Sequence, residues 1–129
     1  MNGRYLLDTN IIISLFAKDS QIHDRMAKAE EVFVPCIAIG ELYFGAYKSQ
    51  NIKKNLARID DFARNNTVLV CNTNTAKIYG DIKNRLKEKG QPIPENDVWI
   101  AAVAQEYALI LVTKDSHFVI IDNLKVETW

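Results

Sequence analysis

Cysteine and histidine are scarce in this chain, two of each among 129 residues. Cys36 and Cys71 sit in apolar surroundings, Pro35-Cys36-Ile37 and Val70-Cys71, without CxxC spacing. They read as two reduced, semi-buried thiols rather than a disulfide scaffold or a zinc site. With only His23 and His117 besides, a nitrogen and sulfur metal site has too few ligands, so any metal is expected on oxygen. Excess charge is lacking as well. Sixteen Lys plus Arg balance 16 Asp plus Glu, which disfavours nucleic-acid binding by bulk charge alone and leaves only a local basic surface. No apolar run approaches the roughly 18 to 20 residues that cross a bilayer. Asp8 interrupts the first apolar stretch before a signal-peptide core forms, and the expected location is the cytoplasm. No internal repeat and no Gly/Ser-rich linker divide the chain, so a single domain over 1–129 is expected.

What is present is an ordinary globular composition, 48% hydrophobic and 25% charged. Short apolar runs at 5–7, 32–35, 68–70 and 110–112 predict buried strands, and 124–126 a short fifth. Helical spacing predicts helices over 10–17, 20–30, 36–49, 52–64, 75–89 and 96–107, the fifth stopped by Gly90. Continuous apolar strands alternating with helices indicate an α/β fold. The expected architecture is a three-layer α/β/α sandwich around a mostly parallel sheet of four to five strands.

In such a sheet ligands collect beyond the carboxyl ends of the strands. Asp8 follows the first strand and Asp115 lies just past the fourth; each, taken alone, also reads as a helix cap. Glu41 is harder to place. It sits mid-helix with Ile37, Ala38, Phe44 and Gly45 on its own face. Asp97 precedes Ile100, Ala101 and Ala104 at helical spacing, although a first-turn acid also suits the helix dipole. An ionised carboxylate on a buried face costs several kcal/mol unless paired or coordinated. The stretches 33–47 and 96–112 contain no Lys or Arg to pair with them. A divalent cation such as Mg²⁺ or Mn²⁺ resolves the repulsion, as one ion or two. The residues therefore suggest metal-assisted hydrolysis of a phosphodiester.

Four segments resemble the PIN domain, and within it the VapC-type toxins of prokaryotic toxin–antitoxin pairs. They are Leu7-Asp8-Thr9-Asn10-Ile11-Ile12, Ile39-Gly40-Glu41-Leu42-Tyr43-Phe44-Gly45-Ala46, Asn96-Asp97-Val98-Trp99-Ile100-Ala101-Ala102 and Leu111-Val112-Thr113-Lys114-Asp115. Each is short, but the order and spacing of all four in a chain of this length are specific. The resemblance implies that Asp8, Glu41, Asp97 and Asp115 are the catalytic acids and hold Mg²⁺ or Mn²⁺. It implies endonucleolytic RNA cleavage, with Asn10 and Thr113 supporting the site. A homodimer and a cognate VapB-type antitoxin, whose C-terminal segment obstructs the active site, are implied as well. One departure is visible: His117-Phe118 stands where relatives often carry an acid before the Phe, so no fifth acidic contact is implied there.

Other readings compete. A receiver-type signalling domain wants paired acids after its first strand and a Lys after its last; here Asp8 stands alone and Lys114 adjoins Asp115. A haloacid-dehalogenase-like phosphatase needs an Asp where Asn10 stands. A PIN fold that only binds partners is the remaining alternative. Lys77, Lys83, Arg85 and Lys87 form either an RNA-binding face or a solvated one. His117 reads as a surface side chain, Tyr43, Phe44 and Tyr47 as core or dimer packing and Trp99 as a packing residue, rather than as base platforms.

Overall fold

A computed structural model of the chain describes residues 3–129. Among them five strands form one parallel sheet: β1 (Arg4–Leu7), β2 (Glu31–Pro35), β3 (Thr67–Leu69), β4 (Ile110–Val112) and β5 (Val126–Glu127). The α-helices are α1 (Thr9–Phe16), α2 (Ser20–Lys28), α3 (Cys36–Tyr47), α4 (Ile52–Arg64), α5 (Thr73–Glu88) and α6 (Glu95–Glu106). A 3-10 helix, Ser116–Ile120, follows β4. Among the described residues no helix is long and apolar enough to cross a membrane.

The strand order is β3-β2-β1-β4-β5. The chain thus begins mid-sheet, builds outward to β3, and then crosses to the other side of β1. Crossovers between parallel strands are right-handed, so reversing direction moves the helices to the opposite face. One core joins Leu7, Val34 and Val112 to α1 through α4; the other joins Leu6 and Leu111 to α5, α6 and Phe118. Alternation along β1 sends Tyr5 and Leu7 into the first core and Leu6 into the second. This is why Tyr5-Leu6-Leu7 is apolar without a break. Helix α6 is buried from Ile100 through Ala104, and small Ala side chains let it lie close to its neighbours.

Several boundaries differ from the sequence reading. Helix α5 starts at Thr73 rather than 75, because Asn72 caps it: its side chain accepts from Thr75 N at 3.1 Å, and Thr75 Oγ1 accepts from Asn72 N at 3.1 Å. The pairing Phe33↔Thr67 starts β3 one residue early and leaves Val70 exposed. The pairings Leu111↔Val126 and Val112↔Glu127 set β5 later than 124–126. Of the two packing readings, core or dimer, Phe44 and Tyr47 depart from the first: they are 64% and 62% exposed on the single chain. Trp99 is a packing residue, stacked on Tyr79 with ring centroids 4.0 Å apart.

Candidate active site

The order of strands reverses between β1 and β4, and there two loops diverge to leave a crevice. Leu7 pairs with Val112, and Asp8 N donates to Val112 O at 2.9 Å. Asp8 and Thr113, the first residues beyond two adjacent strands, therefore emerge side by side, both buried. The Thr113 hydroxyl donates to Asp8 Oδ2 at 2.7 Å and accepts from Asp115 N at 3.0 Å. Asp8 also caps α1, its Oδ1 accepting from Thr9 N at 2.8 Å. Capping and facing the crevice are thus compatible, one oxygen serving each.

Asn10 cross-links the two loops. Its amide nitrogen donates to Asp8 Oδ2 at 3.2 Å and to Asp115 Oδ2 at 3.3 Å, while its oxygen accepts from Lys114 N at 3.2 Å. Glu41 reaches the same place from the middle of α3, where Thr9 Oγ1 donates to its Oε1 at 2.9 Å. Asp97 arrives from the first turn of α6, directly after the Pro94 cap. Asp8, Glu41, Asp97 and Asp115 line one open cleft of about 490 Å³, and no Lys or Arg lines it. The structure brings all four sequence-predicted acids together, along with Asn10; Thr113 lies beneath them.

The electrostatics follow from this crowding. Burial pushes Asp8 above its ordinary value of 3.8, and the Asp115 charge adds to that; bonds from Thr113 and Thr9 N, and His117 nearby, pull the other way. Burial likewise raises Asp97, reinforced by Asp8 and Glu41, against a lowering hydrogen bond from His117.

His117 corrects the sequence reading. It is not a free surface side chain: its Nε2 lies 2.8 Å from Asp97 Oδ2. The 3-10 helix produces this by burying Phe118 completely, which turns the preceding ring back toward the crevice. One donor atom each from Asp97, Asp115 and His117 lie within 4.8 Å of one another. A potential metal donor set therefore includes nitrogen as well as oxygen, which the count of two histidines concealed. The only signal in the sequence was position, two residues past Asp115 in a loop at a strand's carboxyl end. Clustered carboxylates that retain free lone pairs, with an imidazole beside them, fit a divalent cation by donor chemistry.

The basic residues of α5 lie elsewhere. Lys83 pairs with Glu95 at 2.7 Å, and Arg85 with Asp81 at 3.1 Å. Lys77 and Lys87 are exposed and form no ion pair among the described residues. Lys114 Nζ donates to Ser14 Oγ at 2.5 Å instead of reaching an acid of the cleft, and this disfavours the receiver-type reading. Cys36 and Cys71 are free and half-buried, as expected, and burial pushes the Cys71 thiol up to about 11.

Comparison with known proteins places this geometry. The chain is 37% identical to ribonuclease VapC2 of Haemophilus influenzae over 129 residues, covering 98% of each. It is 31% identical to the tRNA(fMet)-specific endonuclease VapC of Shigella flexneri, again over 98% of each. It superimposes on a chain of DNA-bound VapBC from Salmonella typhimurium with a TM-score of 0.91, at 31% identity over 100% of this chain and 99% of that one. The PIN domain family matches residues 5–124. A parallel sheet with its acids gathered at the reversal point and a family match across nearly the whole length lead to one assignment: the chain belongs to the PIN domain family.

Proposed function

We propose that this chain is a metal-dependent endoribonuclease acting as the toxin of a toxin–antitoxin pair. In this reading Asp8, Glu41, Asp97 and Asp115 hold Mg²⁺ or Mn²⁺. The observation that carries it is the cleft itself, lined by five carboxylates and no Lys or Arg; of the five only Glu95 has a lysine partner, Lys83 at 2.7 Å, and Asp8, Glu41, Asp97 and Asp115 have none among the described residues. Such a cluster is costly unless a cation neutralises it. The names of the similar proteins, ribonuclease VapC and tRNA(fMet)-specific endonuclease, support RNA as the substrate. The VapBC complexes among similar structures support an antitoxin as partner.

A divalent cation bound there supplies Lewis-acid stabilisation of charge at phosphorus and activation of the attacking water. The protein's own part is positioning. Thr113 and Thr9 N fix Asp8; Asn10 holds Asp8 and Asp115 at a set separation; Thr9 Oγ1 orients Glu41. Lys77 and Lys87 supply accessible cations for the RNA backbone, while Lys83 and Arg85 contribute only by giving up Glu95 and Asp81. An apolar groove of about 440 Å³ between α1, α3 and α4 shares Ile13 and Glu41 with the cleft, and suits an antitoxin segment leading to its mouth. A homodimer belongs to the same proposal.

The test is cleavage of total RNA by purified protein with Mg²⁺, with Mn²⁺ and with EDTA, beside Asp8→Asn. Discrete fragments that need metal and vanish in the variant are expected. A folded wild type that neither cleaves RNA nor binds metal points to a partner-binding PIN fold instead.

A further inference from the structure

We infer that His117 is a metal-ligating residue, and that with Asp97 and Asp115 it forms a mixed nitrogen and oxygen position that selects Mn²⁺ over Mg²⁺. The inference rests on the metal-dependent reading above and deepens it. His117 Nε2 lies 2.8 Å from Asp97 Oδ2, and one donor atom from each of the three residues falls within 4.8 Å of the others. Ligand atoms about 2.1 Å from a shared octahedral cation lie about 3 Å apart when adjacent and about 4.2 Å apart when opposite. The three donors therefore reach one coordination sphere by a small closure, with the proton of the His117 Nε2–Asp97 Oδ2 hydrogen bond released to solvent as the cation takes its place.

The fold holds this ring in place. Phe118 is anchored at 0% exposure, and the His117 ring rests against it at a centroid distance of 4.7 Å. The imidazole is confined between that ring and Asp97 rather than sweeping through solvent. Donor chemistry then decides the ion. Magnesium prefers an all-oxygen shell and keeps its waters, whereas imidazole suits first-row transition ions. Asp8 and Glu41, which line the same cleft as Asp97 and Asp115, supply oxygen only.

The experiment uses the full chain stripped with EDTA and titrated with MnCl₂ alone, then with MgCl₂ in competition. Electron spin echo envelope modulation of the bound Mn²⁺ reads a directly bonded nitrogen without any activity measurement. Wild type is expected to show it, and His117→Gln to lose it while its circular dichroism is unchanged. His117→Asp restores an all-oxygen set, so its preference for Mn²⁺ over Mg²⁺ is expected to fall about 10-fold or more. Mn²⁺ bound by wild type with no nitrogen coupling, and an unchanged preference in His117→Asp, overturn the inference: His117 then only positions Asp97. Failure of wild type to bind Mn²⁺ at all, equal to Asp97→Asn, overturns the metal-dependent reading with it.

Discussion

Asp97→Asn separates stability from function at one atom. The side chain keeps its shape and can still hydrogen-bond to His117, but the charge is gone. Asp97 lies among acids: one donor atom each of Asp97, Asp115 and His117 fall within 4.8 Å, and burial first, then Asp8 and Glu41, push its pKa up against the pull of His117. Two unit charges at that distance repel by about 1 kcal/mol in water and about 3.5 kcal/mol at an effective dielectric of 20. Asp115 is exposed, so solvent screening places the value near the lower figure. Without metal, the variant should be about 1 kcal/mol more stable than wild type, or about 4 °C in Tm. With metal the sign reverses. A cation at 100 times its Kd stabilises wild type by about 2.7 kcal/mol, and the variant, lacking a ligand, gains little of this. RNA cleavage should fall by about a hundredfold or more. Differential scanning calorimetry in EDTA and in MnCl₂, with a cleavage assay on the same samples, checks all three. A metal-free Tm below wild type, or an undiminished metal-induced rise, would falsify the account of the cleft as a set of uncompensated charges.

Other outcomes follow from neighbouring groups. Thr113→Val removes the donor to Asp8 and leaves Asp115 N–H unpaired, so it should cost about 1–3 kcal/mol and weaken metal binding about 10- to 100-fold. Thr113→Ser should keep most of both, and equal losses in the two variants would point to packing of the methyl group instead. Asp8 and Asp97 have raised pKa values in the folded state, so the fold holds more protons than the unfolded chain above pH 3.8. Their contribution to metal-free stability should therefore decline as pH climbs from about 4 through the raised values, and saturating metal should flatten that decline; urea melts across pH measure it. Cys71, with its thiol near 11, should react with a thiol-directed disulfide reagent only slowly at pH 7 in the native protein and rapidly once unfolded. Rapid native labelling at Cys71 would contradict its burial.

The sequence carried the architecture because apolar periodicity and strand burial are local properties. Tyr5-Leu6-Leu7 and Ile110-Leu111-Val112 are unbroken apolar runs, and only a sheet covered on both faces demands that. The acids could be read for a similar reason. Glu41 on an apolar helical face and Asp97 before an Ile-Ala-Ala run conflict with their surroundings, and a conflict within one element is visible without knowing its neighbours.

Partnerships across elements were decided by the fold. Asn10 was legible as a support for Asp8, yet its bond to Asp115, 105 positions away, exists because β4 crosses back to pair with β1. Lys83 and Arg85 read either as an RNA-binding or as a solvated face; Asp81, four residues before Arg85 on the same helix, is a local partner, whereas Glu95 and Asp122 are brought beside them only by the fold. His117 reads as a surface residue because nothing adjacent to it in sequence conflicts with exposure. Burial of Phe118 in the second core turns it toward Asp97, and that burial is a tertiary event. The sequence by itself determined which residues resist an ordinary environment; the tertiary structure alone decided which of them meet, because meeting depends on strand order and loop closure rather than on any local pattern.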